Sequence, residues 1–323
     1  MNLNQKTKDI LSFFLRVGLS AALLFYLYKK IDVTKTWEIV KTADLGYILY
    51  AGFIFFVINL ILLGRWLMMI KAFDIKVPLI TVVRYFCIGV FGNLFLPSSI
   101  GGDFIKTIGL CMYCKEKAKV VASVLLDRLS GFGGMVVVAT ISFASANKLI
   151  SDSSVLITIV MMAVVSSLMV TILFNEKIYS FCCQIFSRFP KIKASVMQMH
   201  YDIALLKGNR AVLYRMVGIS CVAQLMAAVL SYYLGKALHQ DIDLIYFIIF
   251  TPIICVAASM PSIGGLGVRE AGAAYLLAKV GVSSGIAVSI SLMTFVFMVI
   301  FGLIGGIVFV TTKSFEPVRS KRA

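Results

Sequence analysis

The sequence predicts an all-α, polytopic integral membrane protein, built as an inverted repeat with two broken, re-entrant helix hairpins. Three observations predict it. Of 323 residues, 60% are hydrophobic and only 14% charged, more apolar surface than a soluble domain can bury. Six or more apolar runs approach or exceed the roughly 20 residues that a bilayer-crossing helix needs. A glycine-bearing interruption also occurs twice, as Leu96-Pro97-Ser98-Ser99-Ile100-Gly101-Gly102-Asp103-Phe104-Ile105-Lys106 and as Met260-Pro261-Ser262-Ile263-Gly264-Gly265-Leu266-Gly267-Val268-Arg269-Glu270. Removing one serine aligns the two Ile-Gly-Gly triplets, and Lys106 with Arg269, which marks an internal repeat. Strand-like alternation over about ten residues does not recur, which argues against a β-barrel.

Residues 10–28 form a first apolar helix after the polar 1–9. Lys29-Lys30 follows where a cleavage site would stand, so it reads as a retained anchor. Residues 29–45 read as a polar loop. A helix over 46–70 ends in Arg65, Trp66 and Lys71, an interfacial finish. An apolar run over 79–96 leads to the first break, and a short piece over 103–113 follows it. A long helix over 118–146 carries Asp127-Arg128 near mid-depth, and another fills 154–174. From 175 to 210, apolar residues from Ile178 to Leu206 recur in steps of three or four. That is the stripe of an amphipathic helix, divided at Pro190, lying on the cytoplasmic leaflet or packed under the bundle as a connector. A second unit repeats the first: a helix over 211–236, a run over 243–260, the second break, a short piece over 266–279 and a last helix over 284–312. The whole chain, 1–323, reads as one membrane domain: repeat 1 at 46–146, a connector at 147–210 and repeat 2 at 211–312.

The long basic segment 175–210 belongs in the cytoplasm. Counted outward from it, the cytoplasmic segments hold seventeen Lys and Arg and the exterior ones seven. This places both termini in the cytoplasm, in a multi-pass protein of the cytoplasmic (inner) membrane. The first break then enters from the cytoplasm and the second from outside, so the repeats are inverted, an arrangement found in transporters.

The net charge of +16 follows from the same bias and from anionic headgroups. No basic domain stands outside the apolar runs, which argues against nucleic acid. The seven cysteines lack framework spacing. Cys111-x-x-Cys114 has no second pair and only two histidines exist, so neither a metal, a cofactor nor a redox site is expected.

The breaks carry the chemistry. Proline withholds a donor, and glycine allows tight backbone. Irregular backbone at membrane depth is tolerated only inside protein or beside water. The short helix after each Gly-Gly aims free amides and a positive dipole end toward the midplane, a ready site for an anion such as phosphate. The candidate substrate-binding residues are Pro97, Ser98, Ser99, Gly101, Gly102, Asp103 and Lys106 at the first break. At the second they are Pro261, Ser262, Gly264, Gly265, Gly267, Arg269 and Glu270. Asp127 and Arg128 join them, because charges at mid-depth usually face a cavity or a partner. Asp103 is equally suited to capping a helix that starts there. Arg128 toward a lipid phosphate and Asp127 toward Arg269 or Lys106 is the wiring expected, while Arg65 and Arg84 read as surface residues that snorkel. Glu270 is expected either to pair Arg269 or to face a cationic headgroup.

On Asn93-Leu94-Phe95-Leu96-Pro97 with Gly101-Gly102-Asp103, on Leu126-Asp127-Arg128 and on Pro261-Ser262-x-Gly264-Gly265-x-Gly267-x-Arg269-Glu270, the sequence resembles the flippase-like transmembrane family typified by the membrane half of lysylphosphatidylglycerol synthases. The resemblance spans about residues 10–312 and implies a protein that moves or handles lipids. Two-domain members carry a soluble aminoacyl-transfer domain after the membrane part. Neither the eleven residues after 312 nor the 36-residue segment 175–210 could hold one, so lysyltransferase activity is not expected. The expected function is translocation of a phospholipid or polyprenyl-phosphate-linked lipid between leaflets, through a cavity near the midplane. Two alternatives stand beside it: a non-transporting subunit presenting lipid to a partner synthase or glycosyltransferase, and a headgroup-modifying enzyme using Asp103 or Asp127. No catalytic residue is assigned, and no Walker loop is present to drive transport.

Overall fold

A computed structural model describes residues 33–95, 101–114, 116–145, 153–175, 210–259 and 265–311. The anchor expected at 10–28 and the amphipathic segment 175–210, apart from its two end residues, lie outside these. So do Pro97, Ser98, Ser99, Pro261, Ser262 and Gly264.

Among the described residues every regular element is a helix: α1 Val33–Lys41, α2 Leu45–Ala72, α3 Leu79–Phe95, α4 Gly101–Tyr113, α5 Lys117–Ser145, α6 Ser153–Phe174, α7 Arg210–Ala237, α8 Leu244–Ala258, α9 Val268–Ala278 and α10 Ser284–Thr311. Their lengths fall into two similar sets. Helices α2 to α5 run 28, 17, 13 and 29 residues, and α7 to α10 run 28, 15, 11 and 28. At 1.5 Å per residue the outer helices of each set reach about 42 Å and the inner ones about 17 to 26 Å. The former exceed a hydrocarbon core of about 30 Å, and none of the latter crosses it alone. The flanks of both breaks are therefore part-length helices.

Among the described residues four helices, α2, α5, α7 from Ala211 and α10, are long and apolar enough to cross a membrane. Their outward faces invert the soluble pattern. On α2, Leu45, Leu49, Phe53, Phe56 and Leu60 are all exposed. Their steps of three or four make one continuous apolar stripe. Exposed apolar side chains in a stripe are those that face lipid, and the polar residues Asn59 and Arg65 of the same helix are buried instead. The chain is a polytopic all-α membrane protein.

One segment departs from expectation. The loop read at 29–45 contains the helix α1. Val33, Trp37 and Val40 recur at helical spacing there, but interleaved lysines and acids mask the pattern.

By internal packing the described residues divide into two compact units that do not follow the repeats. The first unit takes the described residues of Met1–Val57, Cys87–Ile105 and Met226–Val310. Its packing relies on small residues, as expected where helices associate without a hydrophobic force between them. Gly302, Gly305 and Gly306 of α10 face Leu94, Cys87 and Phe91 of α3, and a Cβ on Gly305 would stand 2.1 Å from the Cys87 carbonyl oxygen. The Phe55 ring packs near those of Phe297 and Phe301. Nearer the start of α2, Tyr50 meets Tyr233 edge-on with ring centroids 4.6 Å apart. There the Asp44 N–H donates to the Ala237 carbonyl at 3.0 Å, and His239 Nε2 lies 2.8 Å from the Thr42 carbonyl oxygen. The second unit takes Ile58–Phe86, Lys106–Leu225 and Thr311–Ala323, as far as these are described. It contains Arg65, Trp66, Lys106, Asp127 and Ser220.

Candidate functional site

Two buried ion networks carry the chemistry, one in each unit. In the second unit α5 presents Asp127, Gly131 and Gly134 at steps of four and three, hence on one face. The missing side chains leave room for a neighbour: a Cβ on Gly131 would stand 3.2 Å from Arg65 Nη1, and one on Gly134 only 2.5 Å from the Ser220 Cβ. Arg65 lies along this face. Its Nε donates to Asp127 Oδ1 at 2.8 Å, and its Nη1 donates to Ser220 Oγ, also at 2.8 Å. Ser220 passes its own proton to the Met216 carbonyl. Lys106 reaches the same carboxylate from α4, with Nζ 3.8 Å from Asp127 Oδ2, and sits 4.9 Å from the centroid of the Trp66 ring. Arg65, Lys106 and Asp127 are exposed by only 6 to 7%. Charges sealed this far from solvent persist only when paired and hydrogen-bonded. Arg128, next to Asp127, is half-buried.

Sequence reasoning treated Arg65 as a surface residue that snorkels; the structure makes it the centre of this network. The wiring expected for Asp127 holds toward Lys106, and its other partner is Arg65 rather than Arg269. A clue was available in Gly131 and Gly134, which step from Asp127 at helical spacing and mark the face where a bulky partner lies. Arg84, by contrast, is exposed.

At the first break, α4 begins at Gly101, two residues before the start expected at Asp103, so Asp103 stands in the first turn rather than at the cap. An acid there still complements the helix dipole. The Gly102 N–H donates to Asn93 Oδ1 of α3 at 2.8 Å. A Cβ on Gly102 would lie 2.0 Å from the Gly89 carbonyl oxygen, so only glycine allows this approach.

At the second break, Gly265 and Gly267 have φ of 78° and 86°, values that L side chains rarely adopt. Gly267 caps α9, and its N–H donates to Glu270 Oε2 at 2.6 Å. The other carboxylate oxygen takes Arg269 Nη2 at 2.7 Å and the Ser291 hydroxyl at 2.9 Å, while Arg269 Nε donates to Ser291 Oγ at 2.8 Å. Arg269 Nη1 is 3.4 Å from Met298 Sδ, and the guanidinium carbon lies 5.5 Å from the Phe295 ring centroid. Ser291, Phe295 and Met298 occupy one face of α10 at steps of four and three. Of the two partners considered for Glu270, Arg269 is the one observed, and Glu270 is fully buried.

The two networks thus share a plan. The cation of the motif, Lys106 or Arg269, stands on the short helix after the break and is fixed by a buried acid and by the long helix that follows. Ser220, Ser291, Phe295 and Met298 complete the networks and were not singled out from sequence, while Trp66, read there as an interfacial residue, is fully buried. Among the described residues no group of three or more His, Cys, Asp or Glu could hold a metal. Cys111 and Cys114 are free thiols.

Fold and networks together define a class: a polytopic helical membrane protein with a buried ion network in each of its two packing units. The chain belongs to the lysylphosphatidylglycerol synthase transmembrane-region family, whose sequence model matches residues 13–306. It is similar to UPF0104 membrane protein PH1989 of Pyrococcus horikoshii, 24% identical over 305 residues that cover 86% of this chain and 89% of the relative.

Proposed function

We propose that this protein moves a phospholipid or polyprenyl-phosphate-linked lipid between the leaflets of the cytoplasmic membrane. One observation carries the reading: in both repeats the helix that follows the break buries its motif cation, Lys106 or Arg269, in a network of fixed charge. Ionised groups inside a membrane protein are costly and mark a path for polar cargo. In this reading the breaks enter from opposite faces, the termini are cytoplasmic, and the polar headgroup passes along the residues of the two breaks with Arg128 as a contact for its phosphate. The acyl chains stay in the bilayer throughout. Transport is passive, gradient-coupled or driven by a partner.

Liposomes test this. The reconstituted full chain should accelerate exchange of labelled phospholipid between leaflets. Arg128→Ala should slow it about tenfold, the loss of roughly one charge-assisted contact. Background exchange with every phospholipid and polyprenyl phosphate tried would overturn the reading.

A further inference from the structure

The second unit holds a polar group that its networks do not use. Trp66 is fully buried. Its Nε1–H meets no acceptor among the described residues, and no other buried side-chain nitrogen or oxygen among them stands in that position. Leaving a buried donor unmet costs about 1–3 kcal/mol, so such an atom in a packed core calls for an explanation. Its surroundings say what kind of acceptor suits it. Lys106 Nζ lies 4.9 Å from the ring centroid, and Phe86 packs on the ring with centroids 6.5 Å apart. Arg65, the preceding residue, is held in the network with Asp127. An indole N–H only donates and points outward in the plane of its ring. A cationic headgroup has no lone pair to offer it. An anionic oxygen does, and gains from the buried Lys106 cation beside the ring.

We propose that the edge of the Trp66 ring is a docking point for one oxygen of a phosphate group, with Lys106 supplying the favourable charge. This rests on the lipid-moving reading only for the source of the phosphate. Admitting it requires the helices around Trp66, which is fully buried, to part.

The chain has two tryptophans, Trp37 and Trp66, so indole resonances report the site directly. The full chain, labelled with 15N-tryptophan, would be placed in nanodiscs of neutral glycolipid, which contain no phosphate, and Trp37→Phe assigns the two signals. Adding phosphatidylglycerol should move the Trp66 indole proton downfield, and diacylglycerol should not. Lys106→Met should weaken the half-saturating concentration about tenfold, as loss of one charged contact requires. A matching response to inorganic phosphate supports the same chemistry and identifies a free anion as a source; a response to phosphatidylglycerol alone identifies the headgroup. An indole proton already downfield without phosphate and unmoved by either probe means a resident water holds it, and overturns the proposal. So does an equal response to diacylglycerol. Trp66→Phe gives an independent measure: its thermal stability should match wild type in glycolipid and lack the gain that wild type shows with phosphatidylglycerol. Equal gains in both would also overturn the proposal. Leaflet exchange without any indole response sinks this inference alone, while an indole response without exchange sinks the translocase reading alone.

Discussion

Arg65 of α2 and Asp127 of α5, 62 residues apart in sequence, are joined by a 2.8 Å hydrogen-bonded ion pair, and the same carboxylate is shared with Lys106 of α4. The sharing is unequal. Removing the acid strands two cations at once, whereas removing Arg65 leaves Asp127 with Lys106 still beside it. Breaking a buried pair from one side costs about 3–5 kcal/mol. Asp127→Ala should therefore destabilise the protein by at least that much, and Arg65→Ala by less. Thermal unfolding in one detergent measures both, and equal losses would contradict the shared geometry.

Gly102→Ala should be among the most damaging single-methyl changes in the chain. The added carbon would meet the Gly89 carbonyl oxygen at 2.0 Å, and backbone cannot rotate away as a side chain can. Overpacking of this kind costs about 1–3 kcal/mol or more. Gly64→Ala is the control, because nothing lies within 4 Å of its new carbon. It should leave stability unchanged or raise it by up to about 1 kcal/mol through helix propensity. Folded yield and melting temperature separate the two.

Glu270→Gln keeps the shape of the side chain and an acceptor for the Gly267 N–H, but leaves Arg269 charged and buried. A loss of about 3–5 kcal/mol is expected. The double variant Arg269→Met with Glu270→Met removes both charges and should recover most of that loss in the same unfolding measurement. A double variant as unstable as the single one would show that the pair holds the break in place by more than charge.

Cys114 follows α4, outside the long spans. Burial, the neighbouring Cys111 and Glu116 push its thiol up to about 11. The thiolate is the reacting form, and a raised pKa leaves little of it at neutral pH. Alkylation of Cys114, followed by site-resolved mass spectrometry, should rise about tenfold per pH unit from 7 to about 10. A plateau near pH 9 would mark an ordinary, exposed thiol instead.

Much of the architecture was legible because lipid imposes simple rules. Uninterrupted apolar runs gave α2, α5, α6, α7 and α10 within a few residues, and the paired Gly-Gly interruptions marked the ends of α3 and α8. What escaped depended on context that a single sequence hides. Helix α1 is short and charged, so no apolar run announces it. Arg65 sits six residues before Lys71, near the end of a hydrophobic stretch, where snorkelling is the usual fate of a cation. Only Ser220, 155 residues away, and Asp127 show that it turns inward. Ser291 looked like any small residue of a lipid-embedded helix until Arg269 and Glu270 were seen to converge on it. The glycines were read only in general, as allowing tight backbone: neither the positive φ of Gly265 and Gly267 nor the particular partner of Gly102, the Gly89 carbonyl, was specified.

The hydrogen bond from Arg65 to Ser220 joins α2 to α7, the helices that open the two repeats expected from the sequence. A gene cut in two between the repeats would yield two polypeptides, each keeping one end of that bond. Neither fragment is a miniature of the whole. Co-expressed, they should find each other and purify as a stoichiometric pair; made alone, each would lack the other half of that bond.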